Sequence, residues 1–487
     1  MTFWKKTLSI LTAGFLLASC ESYVDKVDEI DPTAPVDAPI ASILTATQVN
    51  YQGIMEGEMA RIAGMWSGYF TGSDRQYVAL YNYNTVSADF DGAWGNIFAG
   101  TIKNARVLRQ KGVAAGNRSV QGVAKIMEAH TMGMTAALWG DIPFTQASNL
   151  AQFPNPAYDT QTAVYAAVQQ LLSDAITDLG TGVGSLTGDY MFGGGRALWI
   201  AAANTLKAKF FLHQGQYQQA INFTNNGIKN PGQNLFGYHD NEYQKTYNIY
   251  YSFLTYDRSG YMTAEGAYAV KLLDAGNRLN RNNTKTNEGA RLNWYYQQGL
   301  NTASVEPNVL SAREPGFSWG VASDGSEDGF FACDAPFPLV TFEENQLILA
   351  ESQARLGQTA PALASLNRLR SFYATGGFIP EGWLGAGLKY DAYVLADFAT
   401  GGIENRAGTR SAEQALLLEI LEERYLSLYG QLEAFNDIRR TANALRIPAN
   451  TGSQIPRRFL YSQAEINANT SAPRPSPDLF TPTAIFK

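Results

Sequence analysis

The chain has 487 residues, 45% of them apolar and 12% aromatic, with a formal net charge of −7 at neutral pH. That is ample for a packed core in one large domain or two to three small ones, which excludes a disordered or fibrous protein. No basic run stands anywhere along the chain, which argues against a nucleic-acid partner.

Lys5 and Lys6 precede an apolar run from Leu8 to Ala18, closed by Leu17-Ala18-Ser19-Cys20. A basic start, a short apolar stretch and small residues before a cut make a secretory signal over residues 1–19. A plain signal needs no thiol after the cut, whereas a lipoprotein signal acylates that thiol and leaves it as the new N-terminus. Cys20 is therefore the expected lipid attachment site. Two or three acyl chains, at about 0.8 kcal/mol per buried methylene, anchor a protein stably. No other apolar stretch reaches the ~18 residues of a membrane-spanning helix. Removal of the signal leaves 468 residues carrying a charge of −9, since Lys5 and Lys6 go with it. Residues 20–40, rich in acid and proline, read as a solvated tether. Cys333 is then the one other cysteine, with no disulfide partner inside the chain, and reads as a small buried residue.

Beyond the tether, apolar and small residues recur at three- and four-residue intervals from Trp94 to Leu108, Val123 to Leu138 and Ala163 to Leu179. Each pattern predicts a helix with one buried face. Leu198 to Ile228 and Thr341 to Leu369 predict helical pairs broken at Gly215 and Gly357, and a last run extends from Ala415 to Ile438. The two pairs share a register: Ala208 and Ala220 flank Gly215 as Ala350 and Ala362 flank Gly357. Glycine supplies the turn and the alanines allow close approach, the pattern of an irregular tetratricopeptide-like repeat. Aromatic, Gly- and Asn-rich blocks at about 230–335 and 371–410 interrupt the helices. Loops this long are functional or ordered by their own packing. The expected fold is mainly α: one domain over 41–487, built on helical pairs with two long insertions.

The search for catalytic chemistry is negative. His130, His213 and His239 lack metal-ligand spacing and read as structural, and no nucleophile elbow, Walker loop or dinucleotide motif is present. Glu422-Glu423-Arg424 on a helix reads as an ion-paired feature. Asp324, Ser326 and Asp328 before Gly329 match the first half of a calcium loop, but position twelve is Ala335 where the bidentate glutamate belongs. An acidic surface turn is the better reading, and no metal or other cofactor is expected.

The aromatics are more telling. Tyr81-Asn82-Tyr83-Asn84, Tyr247 to Tyr251, Asn293-Trp294-Tyr295-Tyr296-Gln297-Gln298 and Phe317-Ser318-Trp319 fall largely outside the helical runs and interleave with amides. A sugar ring presents an apolar C–H face and a rim of hydroxyls, which a flat aromatic flanked by amides and carboxylates can hold. The same rings could equally close small cores under the loops. Trp66, Tyr81, Tyr83, Trp294, Tyr295, Tyr296 and Trp319 are the ligand-contact candidates.

These residues together resemble the SusD/RagB-like family of outer-membrane nutrient-binding lipoproteins from Bacteroidetes. The likeness rests on Leu17 to Cys20; on Trp94, Phe98, Ile102 and Asn104; and on Ala136-Ala137-Leu138-Trp139-Gly140-Asp141-Ile142-Pro143-Phe144. It continues through Tyr165 to Leu179, Leu347 to Gly357 with Asn367-Arg368-Leu369-Arg370, Glu422 to Leu426, and Phe435 to Arg440. Tyr429-Gly430-Gln431-Leu432-Glu433 departs from the Glu-Gly-aromatic element of many members, which marks a divergent branch. The resemblance implies a tetratricopeptide-like helical fold whose loops bind ligand, and a TonB-dependent (SusC-like) barrel transporter over which the lipoprotein closes. It also implies a lipid-anchored place on the outer membrane, facing the cell surface. Ligands would be glycans or, for some members, peptides, and the chain would not be an enzyme. A surface glycoside hydrolase and a solute-free structural subunit of the transporter are the competing classes.

Overall fold

In the computed structural model, which describes residues 38–242, 245–298, 305–311 and 328–486, Gly215 and Gly357 both turn a helical hairpin. Their φ angles are 68° and 72°, the left-handed region that costs other residues about 1 kcal/mol or more. The hydrogen bonds are also the same. Gln216 N donates to Phe211 O at 2.9 Å and Gln358 N to Gln353 O at 2.9 Å, five residues back in each case, which satisfies carbonyls the helix end leaves open. The repeat seen in sequence is therefore a repeat in structure.

The labelled helices are α1 Ile40–Glu56, α2 Glu58–Trp66, α3 Lys103–Ala114, α4 Arg118–Trp139, α5 Gln161–Gly180, α6 Arg196–His213, α7 Tyr217–Thr224, α8 Gly289–Tyr295, α9 Phe342–Arg355, α10 Thr359–Ala374, α11 Ala412–Ser427 and α12 Glu433–Arg440. Antiparallel packing of α4 on α5, α6 on α7 and α9 on α10 forms the helical body, and α7 lies against α9. Ala208, Leu212, Ala220 and Ile348 are buried together at that junction, so the alanines mark where the two hairpins meet. Periodicity gave α4 one buried face, yet nearly the whole helix is buried because α3, α5 and α6 pack around it. Its glycines permit this: a Cβ on Gly133 would lie 2.3 Å from the Phe210 ring.

Two elements differ from expectation. The run from Ala415 to Ile438 is not one helix but α11 and α12, parted at Gly430 with φ 74°. The turn swings Tyr429 under Tyr295, a stacking that a continuous helix would not present. Helices α1 and α2 had no forecast, since their apolar residues are diluted by Thr, Gln and Gly that are themselves buried.

The insertions are not bare loops. They hold short helices, α8 among them, and two-stranded antiparallel pairs. Leu235–Gly237 pairs with Phe337–Val340 and so closes the first insertion onto the start of α9. Thr286–Asn287 pairs with Lys389–Tyr390, which ties one insertion to the other. A single hydrophobic core runs beneath both.

Candidate functional site

Where the two insertions meet the hairpin of α9 and α10, they enclose a cavity of about 300 Å³. Helix α8 brings Trp294 and Tyr295 to its wall, the following loop brings Phe330, and the strand before α9 lies alongside. Phe378, just beyond α10, faces them, and Phe236 and Tyr373 complete the aromatic lining. The rings are held, not loose. Tyr295 stacks on Tyr429 at 4.3 Å and donates its hydroxyl to Leu426 O at 3.0 Å. Phe330 meets Trp294 edge-on at 5.0 Å, and its backbone N–H donates to Trp294 O. Asn308 bolts the strip together, donating from Nδ2 to Asn293 O and from its backbone to Tyr295 O. Trp383 Nε1 donates to Asp328 O at 2.9 Å, so the second insertion braces the first.

Among the described residues, four charged ones line this aromatic chamber: Asp328, Asp334, Glu343 and Arg291. Arg291 is engaged elsewhere, 2.9 Å from Glu423 and 3.3 Å from Glu288, with its guanidinium 4.5 Å over the Tyr373 ring. It is the edge of a buried ionic cluster in which Arg281 also contacts Glu288, Glu419, Glu422 and Glu423. Glu423 and Arg424 are thus ion-paired structural groups, Arg424 holding Asp437 at 2.7 Å.

Glu343 is different. It stands in the first turn of α9, after the Thr341 cap, and is only 6% exposed. Its Oε2 has no hydrogen-bond partner among the described residues. Burial pushes its carboxyl up to about 7, against the opposing pull of its own backbone N–H, Thr341, Asn234 and Arg291. Thr341 and Asn234 are near enough to favour the charged form, yet neither makes a well-aligned bond to Oε2.

A second cleft, of about 420 Å³, lies between residues 438–443 and 453–457. Its Arg439 is committed to the carbonyls of Ala137 and Arg457, and Phe480 is the one aromatic on its wall. The first cavity is the better chemical site because rings and polar groups converge there.

A family described as "Starch-binding associating with outer membrane", the SusD-like family, matches residues 32–462. The chain belongs to the SusD-like family. Solved structures agree on the fold. A SusD homolog from Bacteroides uniformis superposes with a TM-score of 0.65 at 17% identity, covering 91% of this chain and 99% of that one. A SusD/RagB family protein from Bacteroides thetaiotaomicron gives 0.60 at 19%, covering 89% and 95%. A chitin-binding protein gives 0.61 at 20%, covering 88% and 94%. No curated protein matches the sequence.

Within this SusD-like fold the sequence candidates separate sharply. Trp294 and Tyr295 line the cavity, and so does Asp328. Trp66 does not: it is fully buried, donates Nε1 to Leu80 O at 2.8 Å, and packs edge-on against Phe435 and Phe459. No face of that ring is open to a ligand. Tyr296 is buried with its hydroxyl on Tyr69 O. Tyr83 is buried too, accepting from Asn450 N at 2.8 Å, and burial raises its hydroxyl to about 12. Tyr81 is half-buried beside it, away from the cavity wall. Trp66, Tyr83 and Tyr296 belong to the one hydrophobic core that runs beneath the insertions, and Tyr81 packs against it. Trp319, Asp324 and Ser326, like Cys20, lie outside the described residues. The three histidines sit in polar contacts of the body: His130 with Tyr51, His213 with Tyr165 and Glu433, His239 with Glu56. Cys333 is buried.

Sequence reasoning missed Phe330, Phe378, Tyr373 and Glu343. Phe330 directly follows the partial calcium loop, and Glu343 reads as an ordinary first-turn acid of a helix. Only the burial around Glu343 reveals it.

Proposed function

We propose that this SusD-like protein is a lipid-anchored, non-enzymatic binding protein of the outer-membrane surface. It captures an oligosaccharide in the cavity walled by Trp294, Tyr295, Phe330 and Phe378 and delivers it to a TonB-dependent barrel transporter. The observation that carries the ligand reading is the convergence of both insertions on one chamber that mixes aromatic faces with polar groups. Flat rings hold the C–H faces of sugars, and Thr341, Ser427 and the carboxylates offer partners to hydroxyls. The starch-binding character of the family, and a structural neighbour that binds chitin, favour a glycan over a peptide. Anchoring rests on Cys20 and the residues before it; membership in the family supports the transporter partner and the surface location.

Calorimetry with a panel of oligosaccharides tests the ligand reading. At least one glycan is expected to bind, and Trp294→Ala to weaken it about tenfold or more. Tight binding of peptides with no response to any glycan would transfer the site to the peptide class. Product release from a polysaccharide would instead make the chain a hydrolase. Co-purification of a large barrel protein after gentle solubilisation tests the partner, and a Cys20→Ala chain that still supports uptake would remove the anchor from the mechanism.

A further inference from the structure

The cavity wall contains a carboxylate that the protein itself leaves incomplete. Glu343 is buried, its Oε2 lacks a hydrogen-bond partner, and no cation stands within ion-pair distance of it among the described residues. Arg291, on the same wall, is paired with Glu288 and Glu423 and lies over Tyr373, with its Nη1 left without a hydrogen-bond partner among the described residues. Asp328 and Asp334 add two further acids to the same lining. The rest of the wall is aromatic, and the faces of Trp and Tyr rings attract cations, most strongly where water is excluded. A buried carboxylate beside ring faces is a poor site for an anion and an ordinary one for a neutral hydroxyl. For an ammonium group it supplies both the counter-charge and the cage.

We propose that the cavity selects a ligand carrying a free amine, seated on Glu343 among the rings of Trp294, Tyr295, Phe330 and Phe378. The inference rests on the reading of this cavity as the ligand site and narrows it from oligosaccharide in general to one with an unsubstituted amino group. An amino sugar and a lysine side chain present the same ammonium, so both sources are put to the test. The upward push on the Glu343 carboxyl, to about 7 through burial, fits this role, since an ammonium beside it would favour its charged form.

Calorimetry on the intact mature protein at pH 6.5 compares matched pairs that differ only in acetylation of the nitrogen, which removes its charge. One pair is glucosamine hexamer against N-acetylglucosamine hexamer; the other is a terminally blocked trilysine against its Nε-acetylated form. At least one amine probe is expected to bind tenfold or more tightly than its acetylated twin, and the pair that shows the preference names the source. Glu343→Gln is expected to erase that preference, and Trp294→Ala to weaken the amine probe about tenfold. Equal or tighter binding of the acetylated twins, no binding of either amine, a preference that survives Glu343→Gln, or amine binding unchanged by Trp294→Ala overturns the proposal. Binding of the neutral hexamer that depends on Trp294 but not on Glu343 would overturn the amine alone and leave the cavity as the ligand site. Because Glu343→Gln removes a buried charge without removing volume, the variant is expected to fold, which circular dichroism confirms.

Discussion

Glu343 and Glu351 lie about two turns apart on the same helix, both buried, and the fold treats them in opposite ways. Glu351 is gripped by Arg440, whose Nη1 and Nη2 each lie 2.6 Å from one of its oxygens, and Arg355 adds a third contact. Those guanidiniums hold its carboxyl down near 2. Glu343 faces the insertions, has no such partner, and is pushed up to about 7. The difference separates architecture from site. Inside the helical body charge closes on itself; at the mouth of the insertions one charge is left open.

Breaking the closed end should cost most. Glu351→Gln leaves the Arg440 guanidinium buried without its bidentate partner, and chemical denaturation should show a loss of about 3–5 kcal/mol. In the parent protein the Glu351 contribution is present above its unfolded value of 4.5 and vanishes as pH falls toward 2, an amount of about 3 kcal/mol for a shift of that size. Acid unfolding of Glu351→Gln should therefore be shallower over that range.

At the open end the sign reverses. The folded value of Glu343 lies above the unfolded 4.5, so its contribution is full below pH 4.5 and is lost as pH rises through about 7. Glu343→Gln should remove that decline, leaving the variant more stable than the parent at pH 8 by up to about 3 kcal/mol. A variant that is less stable at pH 8 would mean that Glu343 has a partner in solution after all.

Smaller effects sharpen the contrast further. Tyr429→Phe retains the ring beneath Tyr295 but removes the hydroxyl that donates to Tyr295 O at 3.2 Å; thermal unfolding should register about 1 kcal/mol, with ligand affinity little changed. Gly357→Ala meets no atom within 4 Å, so its cost is the left-handed backbone alone, about 1 kcal/mol, with no effect on binding.

Much of the body was legible in the chain. Glycines with flanking alanines gave both hairpins, and the motif residues from Leu347 to Gly357 and from Phe435 to Arg440 pointed to the family. In the structure those two motifs meet: the Glu351–Arg440 pair joins them across 89 residues. The site was legible only in part. Trp294 and Tyr295 were singled out for their amide neighbours and do line the cavity, while Tyr83 and Tyr296, chosen on the same grounds, and the further candidate Trp66 are core. An aromatic in a polar setting looks the same in sequence whether its ring faces a chamber or another ring.

Helical periodicity, a turn glycine and a capping threonine act within a few residues, so the sequence by itself determined the hairpins and, through them, the mainly helical class. The state of a buried carboxylate depends on whether a cation arrives from elsewhere in the chain. Glu351 meets one from α12 and Glu343 meets none among the described residues, and that difference was decided by tertiary packing alone. Electrostatics in a low-dielectric interior act across space, without regard to chain separation, which is why the hairpins could be read from the sequence and the open carboxylate of the chamber could not.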